Sequence, residues 1–246
     1  MSRIEGQVAF VTGANRGIGR AFVEELLAAG AAKIYAAARN PETLADLVAS
    51  GNGRVVPVEL DVTKPDMIER AAAAHRDVSV LINNAGIATF EGLIAARDGA
   101  PARDEMETNY FGTLNMIRSF APVLAANGGG AIVNLSSIAG QVNFPMLGSY
   151  SATKAAVHSL TQGVRAELAA QGTLVVGVYP GPIDTDLAAK MPMEKAAPET
   201  VATAVVAAVE AGEEDVYPDP TSIEMHAALL SNPKAVEKQA GEMLPV

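Results

Sequence analysis

Short apolar runs alternate with segments of helical periodicity along most of the chain. The runs predicted as strands cover residues 8–11, 33–37, 55–60, 80–83, 131–135 and 173–179. The segments predicted as helices cover residues 17–29, 42–49, 65–74, 103–126, 149–170 and 198–211. Apolar strands that alternate with helices are typical of a parallel sheet covered on both faces. The pattern therefore predicts an α/β fold with a doubly wound parallel sheet of about seven strands.

The pattern is less regular beyond the sixth strand, which Pro180-Gly181-Pro182 ends abruptly. A short helix is predicted at residues 186–190 and an extended piece at residues 215–217. A helix at residues 222–230 would precede an acidic tail, and the pattern does not define the structure of the last thirty residues. No linker or change in composition divides the chain, so residues 1–246 are expected to form one domain.

Composition narrows the classes of function. The 28 acidic and 18 basic side chains give a formal charge of −10, which disfavours nucleic acid and anionic membranes as partners. The absence of cysteine excludes disulfides and thiol catalysis, and with three scattered histidines no metal site is expected. No signal segment precedes the first strand and no apolar stretch is long enough to cross a membrane, so a cytoplasmic protein is expected.

A glycine-rich turn lies between the first strand and the first helix. Residues 12–19 read Thr-Gly-Ala-Asn-Arg-Gly-Ile-Gly, a Gly-x-x-x-Gly-x-Gly spacing. At this place backbone amides and the positive end of a helix dipole can receive a pyrophosphate. A turn that binds nothing is the alternative interpretation.

Two arginines favour a phosphorylated dinucleotide. The second strand is followed by Ala38-Arg39, where an acidic residue would hold ribose hydroxyls and a basic one favours a ribose phosphate. Together with Arg16 of the glycine turn, Arg39 would grip that phosphate through paired hydrogen bonds. This arrangement predicts NADP(H) rather than NAD, unless both arginines are merely solvated surface charges.

Tyr150 and Lys154 would lie one turn apart on the same face of a helix. A nearby ammonium favours the phenolate, so Lys154 is expected to bring the pKa of Tyr150 towards neutrality. Such a tyrosine can donate a proton and take it back. Taken alone, the pair is more often an ordinary surface aromatic and lysine.

Several motifs occur together in one order. They are residues 12–19, Asn83-Asn84-Ala85-Gly86, Asn109, Ser136-Ser137, Tyr150 with Lys154, and Pro180-Gly181. In order and spacing this set resembles the short-chain dehydrogenase/reductase family over residues 6–186. The resemblance implies a single Rossmann-like domain and an NADP-preferring carbonyl reductase or secondary alcohol dehydrogenase, acting on CH–OH and C=O groups.

The resemblance also implies four catalytic residues. Ser137 would orient the substrate carbonyl, and Tyr150 would be the general acid in reduction and the base in oxidation. Lys154 would lower the pKa of Tyr150 and hold the nicotinamide ribose. Asn109 would complete the set through a water-mediated proton relay.

The same resemblance places the cofactor on a defined set of positions. Asp61 and Val62 would contact the adenine, residues 84–86 the adenosine ribose, and residues 180–185 the carboxamide end of the nicotinamide. The full set is Gly13, Asn15, Arg16, Gly17, Ile18, Gly19, Ala38, Arg39, Asp61, Val62, Asn84, Ala85, Gly86, Tyr150, Lys154, Pro180, Gly181, Ile183 and Thr185.

In the family, the loop before the tyrosine and the segment after Pro180-Gly181 form the walls of the substrate cleft. Both are apolar here, and a substrate lid is expected around residues 186–197. The expected pocket residues are Phe144, Met146, Leu147, Leu187, Met191 and Met193. They indicate a lipophilic ketone or secondary alcohol, including bulky ones, rather than an acyl-carrier substrate. Ordinary core or interface packing is the alternative interpretation of any single one of them.

The segment 213–246 departs from the family pattern, because the usual glycine-rich ending of the last strand is missing. Family tetramers often pack across that strand, so a homodimer is expected and a tetramer is the alternative. Two other functions are possible for this fold. A protein that binds NADPH as a regulatory ligand without turnover is disfavoured by the complete catalytic set, and a sugar epimerase or dehydratase of the extended group would need a larger substrate domain.

Overall fold

The computed structural model describes residues 4–189 and 193–245. Seven parallel strands form one sheet in the order β3-β2-β1-β4-β5-β6-β7. In chain order they are β1 (Val8–Thr12), β2 (Lys33–Ala38), β3 (Val55–Glu59), β4 (Val80–Asn83), β5 (Gly130–Leu135), β6 (Thr173–Val178) and β7 (Asp215–Val216). The predicted doubly wound parallel sheet is confirmed.

Helices cover both faces of the sheet. In chain order the α-helices of the described ranges are α1 (Gly17–Ala28), α2 (Ala45–Ser50), α3 (Pro65–Ala74), α4 (Ala100–Glu105), α5 (Gly112–Ala126), α6 (Gly148–Leu168), α7 (Pro198–Ala211), α8 (Pro220–Ser231) and α9 (Pro233–Ala240). Helices α1 and α7 pack on one face, and α3, α5 and α6 on the other. In β1, Val11 belongs to the first apolar cluster and Phe10 to the second, and both are buried. Burial on both faces explains why the strands read as unbroken apolar runs.

The strand order reverses between β1 and β4, which is where doubly wound sheets open a ligand cleft. Thr12 and Asn84 connect the loops that follow these strands. The hydroxyl of Thr12 accepts hydrogen bonds from the backbone N–H groups of Asn84 and Ala85, each at 3.0 Å. The side-chain amide of Asn84 donates to the Thr12 carbonyl at 2.9 Å. The backbone of residues 84–86 is thereby fixed at the mouth of the cleft.

The predicted helix at residues 103–126 is in fact three pieces. Helix α4 starts earlier, a π-helical turn at Met106–Phe111 follows, and α5 continues from it. The short helix predicted at residues 186–190 is a 3-10 turn at Asp186–Ala188, and residue 190 lies outside the described ranges. None of the described helices is both long and apolar enough to span a bilayer.

The last thirty residues, whose structure the sequence pattern does not define, contain α8 and α9, and α9 occupies part of the segment named as an acidic tail. Proline at the first helical position and Asn232, whose side chain accepts a hydrogen bond from Ala235 N–H, start this helix. Val236 and Ala240 of α9 are buried in a third apolar cluster beside the cleft. The segment is therefore folded against the body of the protein.

Candidate active site

A cleft of about 850 Å³ opens at the carboxyl ends of the strands. It is lined by every residue predicted to contact the cofactor and by Ser137. The predicted pocket residues that line it are Phe144, Met146, Leu147, Leu187 and Met193, whereas Met191 lies outside the described residues. Asn109 is buried behind the wall of the cleft.

The glycine turn leaves its backbone open towards the cleft. Gly13 has a φ of +64°, and a Cβ on Gly19 would collide with the carbonyl oxygen of Gly13. Helix α1 begins at Gly17, within this turn, and the side chain of its N-cap residue, Arg16, makes no capping hydrogen bond. The first N–H groups of α1 therefore remain for a ligand. The turn and the helix end fit a dinucleotide pyrophosphate.

Arg16 itself is directed elsewhere. The sequence predicts that Arg16 and Arg39 hold one phosphate together. In the structure, Nη1 of Arg16 instead lies 2.9 Å from Oδ2 of Asp186. Both side chains are largely exposed, so this ion pair adds little stability. It links the glycine turn to the start of the segment predicted as a lid. The phosphate role of Arg16 stays a prediction.

Arg39 borders the far end of the cleft, where the sequence places the adenine. The Asp61 carboxylate accepts hydrogen bonds from the N–H and the hydroxyl of Thr63, at 2.9 and 2.7 Å. Burial alone would raise the pKa of Asp61, but these bonds and the charges of Lys64 and Arg39 lower it. Lys64, which the sequence analysis did not single out, also lines the cleft. Two exposed cations therefore lie at this end.

Tyr150 projects into the middle of the cleft from the first turn of α6. Burial raises the pKa of its phenol to about 12. The interaction with the Ser137 hydroxyl lowers this pKa, and the negative charge of Glu105 raises it. Ser137 is held in turn by the N–H of Ala139, which donates to its hydroxyl at 3.1 Å. The Ser137 hydroxyl donates in turn to the Pro180 carbonyl at 3.3 Å. Tyr150 is therefore protonated at neutral pH and shares the cleft with a fixed hydroxyl.

Lys154 lies one turn further along α6 and is 5 % exposed. Its Nζ donates to the Leu135 carbonyl at 2.7 Å and lies 5.5 Å from the centre of the Tyr150 ring. Burial lowers the pKa of Lys154 to about 8. The expected lowering of the pKa of Tyr150 is wrong for this structure, because burial of the phenol outweighs any effect of an ammonium directed at Leu135. The contact of Lys154 with a ribose stays a prediction.

Asn109 lies in the π-helical turn, a feature common at functional sites because it breaks the regular helix pattern. Its side-chain amide bonds both backbone groups of Ile87, accepting from the N–H at 2.9 Å and donating to the carbonyl at 3.0 Å. It also donates to the Thr153 hydroxyl at 2.9 Å. Asn109 thus fastens the segment after β4 to α6, and its implied water relay stays a prediction.

The profile of the family described as short chain dehydrogenase matches residues 7–196. This range contains β1 to β6, the glycine turn and the Tyr150–Lys154 pair. The chain belongs to the short-chain dehydrogenase family. The family resemblance and the oxidoreductase class predicted from the motifs are confirmed.

Solved and curated relatives resemble this dehydrogenase over most of its length. A short chain dehydrogenase from Burkholderia cenocepacia, solved in complex with NADP, is 44 % identical with a TM-score of 0.92, covering 97 % of this chain and 99 % of that one. The 3-oxoacyl-(acyl-carrier-protein) reductase FabG of Vibrio cholerae is 34 % identical, over 94 % of this chain and 92 % of its own. The NADPH-dependent 1-acyldihydroxyacetone phosphate reductase of Saccharomyces cerevisiae is 35 % identical, over 81 % and 68 % respectively.

The C-terminal segment of this dehydrogenase forms a third wall of the cleft that was not predicted. Met225 of α8 and Met243, after α9, line it, and the N–H of Met146 donates to the Met243 carbonyl at 2.9 Å. Phe90 also lines the cleft and has a positive φ of 58°. Met225 and Met243 are of the residue type predicted for the pocket. They lie far from Met146 in the sequence, so their proximity to it could not be predicted.

Proposed function

We propose that this dehydrogenase interconverts a hydrophobic ketone, including bulky ones, and the corresponding secondary alcohol with NADP(H). The observation that supports this most is that the Tyr150 phenol and the Ser137 hydroxyl line one cleft, between the glycine turn and apolar walls. A protonated phenol can donate to a carbonyl oxygen during reduction, and the phenolate can take the proton back during oxidation.

The chain's own residues would position and protonate the carbonyl. NADPH, when bound, would supply the hydride. Ser137, fixed by the N–H of Ala139, would donate a hydrogen bond to the carbonyl oxygen and so align it with the Tyr150 hydroxyl. As the phenol loses its proton, negative charge develops on Tyr150, and the ammonium of Lys154 near its ring would stabilise that charge.

NADP(H) is the cofactor that the cleft fits best. The uncapped start of α1 suits the pyrophosphate, and the exposed cations Arg39 and Lys64 suit a phosphate on the adenosine ribose. The relative from Burkholderia cenocepacia was solved with NADP, and the yeast relative is named as NADPH-dependent. Both comparisons support the same cofactor here.

Replacing Arg39 with serine is expected to lower kcat/KM for NADPH by about 10- to 100-fold, because one charged hydrogen-bonding partner of the phosphate is lost. The value for NADH should change less than about threefold, since NADH lacks that phosphate. Steady-state rates with both cofactors measure the ratio. Arg118→Ser, at an exposed position of α5, is the matched control. Equal losses with NADPH and NADH would contradict the assignment.

The substrate end of the cleft is apolar on three sides. Phe144 and Leu147 are buried on one side, Leu187 and Met193 are partly exposed on the second, and Met243 lies on the third. Apolar and flexible methionine side chains suit a hydrophobic ligand of variable shape.

A panel of carbonyl compounds tests the proposed function. NADPH oxidation would be followed optically with aromatic ketones, diketones, steroid ketones and a 3-oxoacyl thioester, and repeated with NADH. Turnover of hydrophobic ketones with NADPH is expected. Tight NADPH binding without turnover of any carbonyl would instead support the regulatory NADPH-binding alternative.

Met243→Ala is expected to raise KM for bulky ketones by about tenfold, because the third wall loses apolar contact. The KM for a small ketone should stay within about twofold, and this difference separates lost contact from general damage. Leu244→Ala is the matched control, since Leu244 is 67 % exposed. An equal rise in KM for small and bulky ketones would contradict the role of Met243.

We also propose that residues 1–246 form one domain and that the protein is a homodimer. The single sheet and the 97 % coverage of the chain by the NADP-bound relative support the first. The short β7, of two residues, supports the second, because it offers little edge for tetramer packing. Light scattering would measure the mass in solution, and a tetramer mass would contradict the dimer.

A further inference from the structure

Glu105, the last residue of α4, is a fully buried carboxylate near the proposed site. Its Oε1 accepts two hydrogen bonds from Thr89, from the N–H at 2.6 Å and from the hydroxyl at 2.8 Å. Its Oε2 is buried and has no hydrogen-bond partner among residues 4–189 and 193–245. Burying a carboxylate with one unpaired oxygen lowers the stability of the fold, so we expect a function of Glu105 that offsets this loss.

Glu105 and Asn109 together hold one extended segment. The two side chains lie four residues apart in the helical stretch, a rise of about 6 Å. Ile87 and Thr89 lie two residues apart in the extended segment, a span of about 6.6 Å. Because the spacings match, Asn109 bonds Ile87 and Glu105 bonds Thr89 from the same side. We call these four hydrogen bonds the 87–89 clamp.

The clamp fixes one part of the cleft wall. Ile87 and Phe90 both line the cleft. Phe90 follows the clamped Thr89 and has a φ of +58°, a conformation that aromatic residues rarely adopt and that costs on the order of 1–3 kcal/mol. Such strain persists only where neighbouring contacts enforce it. The two bonds to Glu105 lie directly before the strained residue.

We infer that Glu105 is a positioning residue: through its two hydrogen bonds to Thr89 it sets the cleft wall at Ile87 and Phe90. This inference rests on the proposed ketone reduction. It adds a specificity-determining residue that contacts neither cofactor nor substrate.

Glu105→Gln and Glu105→Met test the clamp from the side of Glu105. The glutamine oxygen can still accept both hydrogen bonds from Thr89, so the KM for a bulky ketone should stay within about twofold. Methionine is unbranched like glutamate but has no oxygen, so this KM should rise about 3- to 10-fold. Equal KM values for the two variants overturn the proposal.

Thr89→Val tests the clamp with the charge left in place. It removes the hydroxyl bond to Glu105 at nearly constant volume, so Phe90 is less firmly held. The KM for a bulky ketone should rise about 3- to 10-fold while kcat for a small ketone stays unchanged. An unchanged KM for bulky ketones overturns the proposal, and this variant remains informative if Glu105→Gln fails to fold.

A measurement without turnover separates failure of this proposal from failure of the proposed function. The Thr89 amide, in a short bond to a carboxylate, should give a downfield and exchange-protected resonance in the NMR spectrum of the wild type. That resonance should move upfield in Glu105→Gln and stay in place in Glu167→Gln, which changes an exposed glutamate of α6. If no ketone is reduced but the resonance behaves in this way, the clamp stands and the proposed function fails. An ordinary Thr89 amide overturns the clamp itself.

Discussion

Replacing Tyr150 with phenylalanine is expected to lower kcat for ketone reduction by about 10²- to 10⁴-fold, the usual contribution of a positioned general acid. The substitution removes one hydroxyl and keeps the ring, so the contacts of α6 and the cleft wall are preserved. The Kd for NADPH should change less than about twofold, since the glycine turn and Arg39 are untouched. Single-turnover rates and a fluorescence titration of NADPH measure the two quantities separately.

Tyr110→Phe supplies the control for that experiment. Tyr110 lies in the π-helical turn and packs edge-on against Phe111, outside the residues that line the cleft. Its loss of a hydroxyl should leave kcat within about twofold. Substantial reduction by Tyr150→Phe would show that another group protonates the carbonyl and would contradict the mechanism.

The sheet follows from the sequence because its strands are buried on both faces. Strand β4 matches the predicted residues 80–83, since an unbroken apolar run has few other stable solutions. The helix predicted at residues 222–230 is α8, but α9 and the packing of the C-terminal segment did not follow, because α8 and α9 have mixed faces whose partners are distant in sequence. Met243 is held at the cleft by the hydrogen bond that its carbonyl accepts from Met146 and by packing in the third apolar cluster. Such a contact depends on tertiary packing, which local periodicity does not report.

The candidate active site was likewise predicted only in part. The type and order of the motif residues predicted that Ser137, Tyr150 and Lys154 share one site, and all three line the cleft. Spacing alone did not give the sign of the electrostatic effect, since the pKa of Tyr150 depends on how deeply the phenol is buried. Glu105 was missed for a related reason. A glutamate in a helix with polar neighbours reads as solvated, and only the fold shows that it is buried.

Lys154→Met is expected to lower kcat for reduction by about 10²- to 10³-fold, the usual loss when one group that stabilises developing charge is removed. The ammonium lies 5.5 Å from the centre of the Tyr150 ring, and its apolar replacement keeps the length of the side chain. The loss should appear mainly in kcat rather than in the KM of the ketone, because charge on the phenol develops during proton transfer. Lys234→Met, at an exposed position of α9, is the matched control.

The same variant tests the burial of Lys154 through stability. Burial lowers the pKa of Lys154 from 10.5 to about 8, so between these pH values the unfolded state binds more protons than the folded state, and the free energy of unfolding rises with pH. Tyr150, whose pKa is raised from 10.0 to about 12, has the opposite effect but only above pH 10. Between pH 8 and 10 the wild type should therefore gain stability over Lys154→Met, by at most about 3 kcal/mol. Denaturant unfolding at a series of pH values measures this gain. Parallel curves for the two proteins would mean that Lys154 is hydrated, and its charge would then be too well screened to act on Tyr150.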